Sequence, residues 1–154
     1  MSGQRQTFTE ISILLTRLML GGYFTLAGVA KVRGELGEGL GTFYRGSFSS
    51  LQPAWLPDLL AAPYGYALPW LEVVVGVAFM AGFFGTIAAI LTGLMIFSFT
   101  IALVVKFGLL AQPDAARHPF NSNYIQIAAC ALLACLGPGR LSVDHLLRSK
   151  RSKV

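Results

Sequence analysis

From Tyr64 to Gly108 the chain carries only two charges, Glu72 and Lys106. As one helix these about 45 residues would measure about 67 Å, over twice the roughly 30 Å of a bilayer's hydrocarbon core. The run therefore has to fold back on itself. The reversal is placed at Gly82-Phe83-Phe84-Gly85, where two glycines flank an uncharged pair and permit a tight turn. Two further apolar segments precede and follow, so four spans are expected, at roughly 9–32, 64–83, 86–108 and 121–137. The strictly apolar part of the fourth, Ile127 to Leu136, is short; extending it back to Asn121 gives about 26 Å, enough to span. With 55% hydrophobic residues, 12% charged residues and a mean hydropathy of +0.64, the composition excludes an ordinary soluble domain. The expected fold is all-α: one integral membrane four-transmembrane-helix bundle over 1–154, with a long outer loop at 33–62.

Four spans put both termini on one side of the membrane. The tail 140–154 holds Arg140, Arg148, Lys150, Arg151 and Lys153 against Asp144, so the positive-inside rule places both termini in the cytoplasm. Its Leu141, Val143, Leu146 and Leu147 fit a helix lying on an anionic lipid surface. That tail supplies most of the net charge of +5, so the basic character requires no nucleic-acid partner. A cleaved signal peptide is disfavoured because Arg17 interrupts its would-be apolar core.

The outer loop has two halves. Gly34, Gly37, Gly39, Gly41 and Gly46 loosen the first, which also carries Phe43, Tyr44 and Phe48. Pro53, Pro57 and Pro63 stiffen the second around Trp55, Leu56, Leu59 and Leu60, which suits a short interfacial helix with Pro57 in its first turn. The loop reads either as an aromatic interfacial belt or as a lid over a ligand cavity.

Charge inside the spans is the second constraint, since a charged side chain at mid-bilayer depth costs roughly 2.5–3.5 kcal/mol on insertion scales. Arg17 and Lys31 lie within about 40° on one face of the first span, with Gly21, Phe24 and Gly28 between them. Glu72 heads a matching stripe of Gly76, Phe79 and Phe83 on the second. Lys31, Glu72, Lys106 and Asn123, with Asn121 and Gln126, fall at one outer level and are expected to turn inward. Two readings stand side by side. One is structural glue, with Glu72 paired to Lys31 or Lys106 across close-packed glycines. The other is a pocket with ligand-binding residues Lys31, Glu72, Lys106 and Asn123 and with Glu72 as the candidate catalytic acid, suited to a quinone or a small anion. At the cytoplasmic end, Arg17 and Asp144 are expected to form a structural charge pair.

Cys130 and Cys135 are separated by about 140° on one helix and form no C-x-x-C motif, so they read as core residues. His118 and His145 fall on opposite sides of the membrane in this topology, and no metal site is expected.

Three motifs in order carry a family resemblance. Arg17-Leu-x-Leu-Gly-x-x-Phe-x-x-x-Gly28-x-x-Lys31, Pro69-x-x-Glu72-x-x-x-Gly76 and Leu136-Gly-Pro-Gly-Arg140-Leu-Ser142-Val-Asp144 resemble the DoxX family of small four-helix membrane proteins. The resemblance implies a bacterial or archaeal cytoplasmic membrane protein, with the characteristic positions at Arg17, Gly28, Lys31, Pro69, Glu72, Gly76, Gly137, Ser142 and Asp144. It also implies an accessory or quinone-interacting subunit of a membrane oxidoreductase system, with quinone as the possible cofactor. A non-catalytic assembly or scaffold subunit packing on a membrane partner or a second copy is the alternative, and small-anion transport a weaker one.

Overall fold

The structure, a computed structural model, describes residues 2–109 and 122–151. The described residues are helical, without strands. Helix α1 spans Ser2–Glu38, α2 Ser49–Leu51, α3 Asp58–Ala81, α4 Gly85–Phe107, α5 Asn123–Leu136 and α6 Val143–Arg151, with a π-helical turn at Tyr44–Phe48 ahead of α2. Three of them, α1, α3 and α4, are long and apolar enough to cross a membrane. Helix α5 has 14 residues, about 21 Å, shorter than a span by itself. Asn121, from which the fourth span was extended, lies outside the described residues.

Helix α1 packs along α3, and α4 along α5. The α1–α3 approach is close because glycines face it. A Cβ on Gly28 would stand 2.8 Å from both Glu72 Cβ and the Val73 nitrogen, and one on Gly76 2.8 Å from the Thr25 nitrogen. No side chain fits there, so two backbones meet where lipid-like side chains would otherwise intervene. Phe24, Leu68, Val75, Met95, Ile96 and Cys130 form one buried apolar cluster, and Ile13, Phe79, Ala88, Ala89 and Leu133 a second.

The reversal between α3 and α4 occupies Gly82–Phe84, inside the tetrapeptide expected from sequence. Gly82 sits at φ 66°. The Gly82 N–H donates to Phe79 O at 3.1 Å and the Phe83 N–H to Ala78 O at 3.0 Å, the paired bonds of a Schellman stop. Arg17 and Asp144 meet this turn from opposite sides. The Arg17 guanidinium, 2% exposed, donates to Phe79 O (3.1 Å) and Met80 O (2.6 Å) at the end of α3, and to Pro138 O (2.5 Å) and Leu141 O (3.1 Å) between α5 and α6. The Asp144 carboxylate accepts from the Phe84 N–H (2.9 Å) and the Gly85 N–H (2.8 Å) at the start of α4.

The expected pair therefore occupies one knot, yet its members bond to backbone rather than to each other. A helix C-terminus offers unpaired carbonyls to a cation and an N-terminus unpaired N–H groups to an anion. Ser142 completes the knot by accepting from the His145 N–H at 3.2 Å at the start of α6.

The loop differs from expectation. Helix α1 continues to Glu38 and takes up Gly34 and Gly37, so the connection runs only over 39–57. No separate interfacial helix forms around Pro57: Leu59 and Leu60 belong to α3, Pro57 is its N-cap, and Trp55 and Leu56 lie in the turn before it. Proline suits the start of a helix, and the long helix on its C-terminal side extends back to it. The loop's helical turns fall instead at Tyr44–Phe48 and α2, where Tyr44 and Phe48 sit on Gly65 of α3.

Replacing Arg17 by Met strands these carbonyls and is expected to destabilise the protein by about 1–3 kcal/mol or more, the scale for leaving a buried acceptor unsatisfied. Thermal unfolding in detergent measures this. Gly76→Ala should lower the same midpoint, whereas Gly34→Ala, facing open space, should not.

Candidate ligand cavity at the Lys31 end of the helices

Lys31 lies 14 residues beyond Arg17 on α1, about 21 Å along the helix. There it forms an ion pair with Glu72 of α3. The Lys31 side chain is 25% exposed and that of Glu72 1%, so only the cation is reachable. Glu72 Oε1 takes the ammonium, while Oε2 is buried with no hydrogen-bond partner. The ammonium also stands 4.8 Å from the centroid of Phe43 and 5.2 Å from that of Phe99, within the range of cation–π attraction. One carboxylate and two ring faces thus hold a charge that would be costly alone at membrane depth.

This arrangement forms one wall of a cavity of about 600 Å³, within the size range of small-molecule sites. Phe48 and Trp55 of the loop, Tyr64 of α3, and Phe99 and Leu103 of α4 supply much of the rest. Its lining is predominantly apolar, with a few polar groups. Ser98 Oγ donates to Met95 O at 2.7 Å, so in the 2.7 Å contact between Tyr64 and Ser98 the tyrosine is the donor.

The loop covers this cavity because Glu35 pins it. Glu35 lies one turn beyond Lys31 on α1, is buried, and accepts from the backbone N–H groups of Gly41 and, at 2.8 Å, Phe43. Tyr44 stacks on Tyr66 with centroids 4.9 Å apart, and Phe48 meets Tyr64 edge-on at 5.9 Å. The far side is tied by Gln52, which donates to Leu56 O and Asp58 Oδ1, each at 2.9 Å. Glu35 and Ser98 were not singled out from sequence. Glu35 carried a usable signal, a carboxylate at i+4 from Lys31 just before a glycine-rich reversal.

Of the four residues expected around a pocket, Lys31 and Glu72 come together and Lys106 and Asn123 do not join them. Lys106 is exposed and donates to Ser50 O at 2.5 Å, tying α2 to the end of α4. Asn123 begins α5, half-buried, and is not part of the cavity wall. Cys130 is buried and Cys135 exposed, both as free thiols. Among the described residues no cluster of three or more metal-ligating side chains occurs; His118 lies outside them.

A family model for methylamine utilisation protein MauE matches residues 9–114, a stretch that takes in most of α1, all of α2, α3 and α4, and every wall of the cavity. The chain belongs to the MauE family. No curated protein and no solved structure matches it. The family match overturns the resemblance to DoxX proteins. Glycines at helix crossings and charges near helix ends are what close packing of membrane helices demands, so the first two motifs describe a packing solution as much as a lineage. The third, Leu136 to Asp144, lies outside the stretch that the MauE model matches. As a MauE-family chain with several long apolar helices, this is a membrane protein.

The ion pair yields a test. Lys31→Met alone leaves Glu72 buried without a cation and is expected to cost about 3 kcal/mol or more. Lys31→Met combined with Glu72→Gln should recover most of that loss, a coupling that a double-mutant cycle on unfolding midpoints in detergent measures.

Proposed function

We propose that this MauE-family protein is a membrane accessory factor in the maturation of a methylamine-dehydrogenase-type system, the role to which the family is linked. The observation that carries the reading is the reach of the family match, residues 9–114, which contains the helices and loop enclosing the Lys31 cavity. In this reading the cavity is the working part and the Arg17 knot the scaffold. Large side chains such as Met19, Leu26 and Val74 point outward at 75%, 71% and 66% exposure, offering apolar faces to lipid and to the helices of a partner.

The proposal includes a topology. Helices α1, α3 and α4 cross the cytoplasmic membrane, and the segment that contains α5 crosses a fourth time. Helix α6, with Arg148, Lys150 and Arg151 in its last turn, then lies on the cytoplasmic side, and the cavity is at the opposite surface.

In a methylamine-utilising bacterium deleted for its own MauE-family gene, expression of this chain should restore active methylamine dehydrogenase in extracts. The Lys31→Met/Glu72→Gln variant, inserted to the same level, should restore about tenfold less, the scale of losing one charged hydrogen bond. Absence of restoration by the inserted wild-type chain, with dehydrogenase polypeptides present, rejects the role.

A further inference from the structure

The cavity's chemistry narrows what it takes. Its cation is already matched: Glu72 lies directly behind Lys31 and bonds it. The wall therefore presents N–H donors with no net charge, and an anionic head would meet the field of the Glu72 carboxylate at short range. Lys106 is no part of the wall: it is exposed beyond it, with its ammonium on Ser50 O. A neutral acceptor gains the hydrogen bond without that repulsion. The flanking groups are flat: Phe43 and Phe99 bracket the ammonium, and Phe48, Trp55 and Tyr64 continue the aromatic lining. Rings of this kind favour an offset-stacked or edge-on planar guest. The volume of about 600 Å³ exceeds what one ring fills, leaving room for a stretch of apolar tail, and the protein sits in the phase where such molecules partition.

We propose that the cavity binds a neutral, lipid-soluble carbonyl compound of the quinone class, with one ring oxygen accepting from Lys31 Nζ and the ring among Phe43, Phe99 and Tyr64. This deepens the accessory-factor reading and rests on the cavity being its working part. Only binding is assigned.

The test uses the full-length protein in phosphatidylcholine nanodiscs with Trp70→Phe, which leaves Trp55 in the cavity wall as the reporter. A decyl-substituted benzoquinone should quench Trp55 fluorescence saturably. Lys31→Met/Glu72→Gln should weaken that binding by about tenfold or more. Ala102→Phe, which fills the cavity from α4 and leaves the ion pair untouched, should abolish it, and serves if the double variant fails to fold. Decanoate, the anionic probe, should not compete.

Equal or tighter binding of decanoate overturns the neutral class in favour of a fatty-acid site. Quenching that is unsaturable, or indifferent to both variants, overturns the site itself. If binding fails while the chain restores dehydrogenase in the deleted host, the ligand is wrong and the accessory role stands. Binding without restoration gives the converse.

Discussion

A buried guanidinium holds this protein together. Arg17 is nearly inaccessible and gives its N–H groups to backbone carbonyls from two different connections, the end of α3 and the segment between α5 and α6. Lysine has no planar fork with which to reach both. Because α1 carries the arginine, one side chain registers the first helix against a turn some 60 residues later and a second connection further on. Asp144 adds the complementary charge at the same turn, and its bonds to the first N–H groups of α4 bring in the fourth participant. The knot sets the height of α1 beside α3, and thereby the level at which Lys31 faces Glu72.

The long helices were legible because membrane-crossing demands length and apolarity, and both are written residue by residue. The turn at Gly82 was legible because a run too long for one span must break where a residue tolerates positive φ. The partner of Arg17 was harder to read. Sequence shows an acid that can neutralise it, whereas the carbonyls that accept from it belong to Phe79, Met80, Pro138 and Leu141, whose side chains say nothing of the role. The loop was misread for a similar reason. Pro57 marks a helix start in sequence, and only the fold shows that the helix in question is α3.

At the cavity, Lys31 and Glu72 were found through the cost of charge in a membrane, which leaves a clear trace in an apolar sequence. Lys106 and Asn123 were grouped with them by depth alone, and depth does not fix direction around a helix axis. Of the aromatic lining, Phe43, Phe48 and Trp55 were read in the loop, as an interfacial belt or a lid, whereas Phe99 of α4 left no such trace. Family assignment followed the same division: packing residues suggested one lineage, and the match over residues 9–114 established another.

Lys31 and Glu35 are neighbours on one uninterrupted helix, so the cavity's cation and the clamp on its cover belong to a single rigid rod. A guest entering from above cannot loosen the near hinge without unravelling α1. Further along, the loop is tied to α4 by Lys106 on Ser50 O and to the start of α3 by Gln52 on Asp58 Oδ1. The cover of the cavity and the cation beneath it are therefore carried by the same helix, so a shift of α1 moves both together.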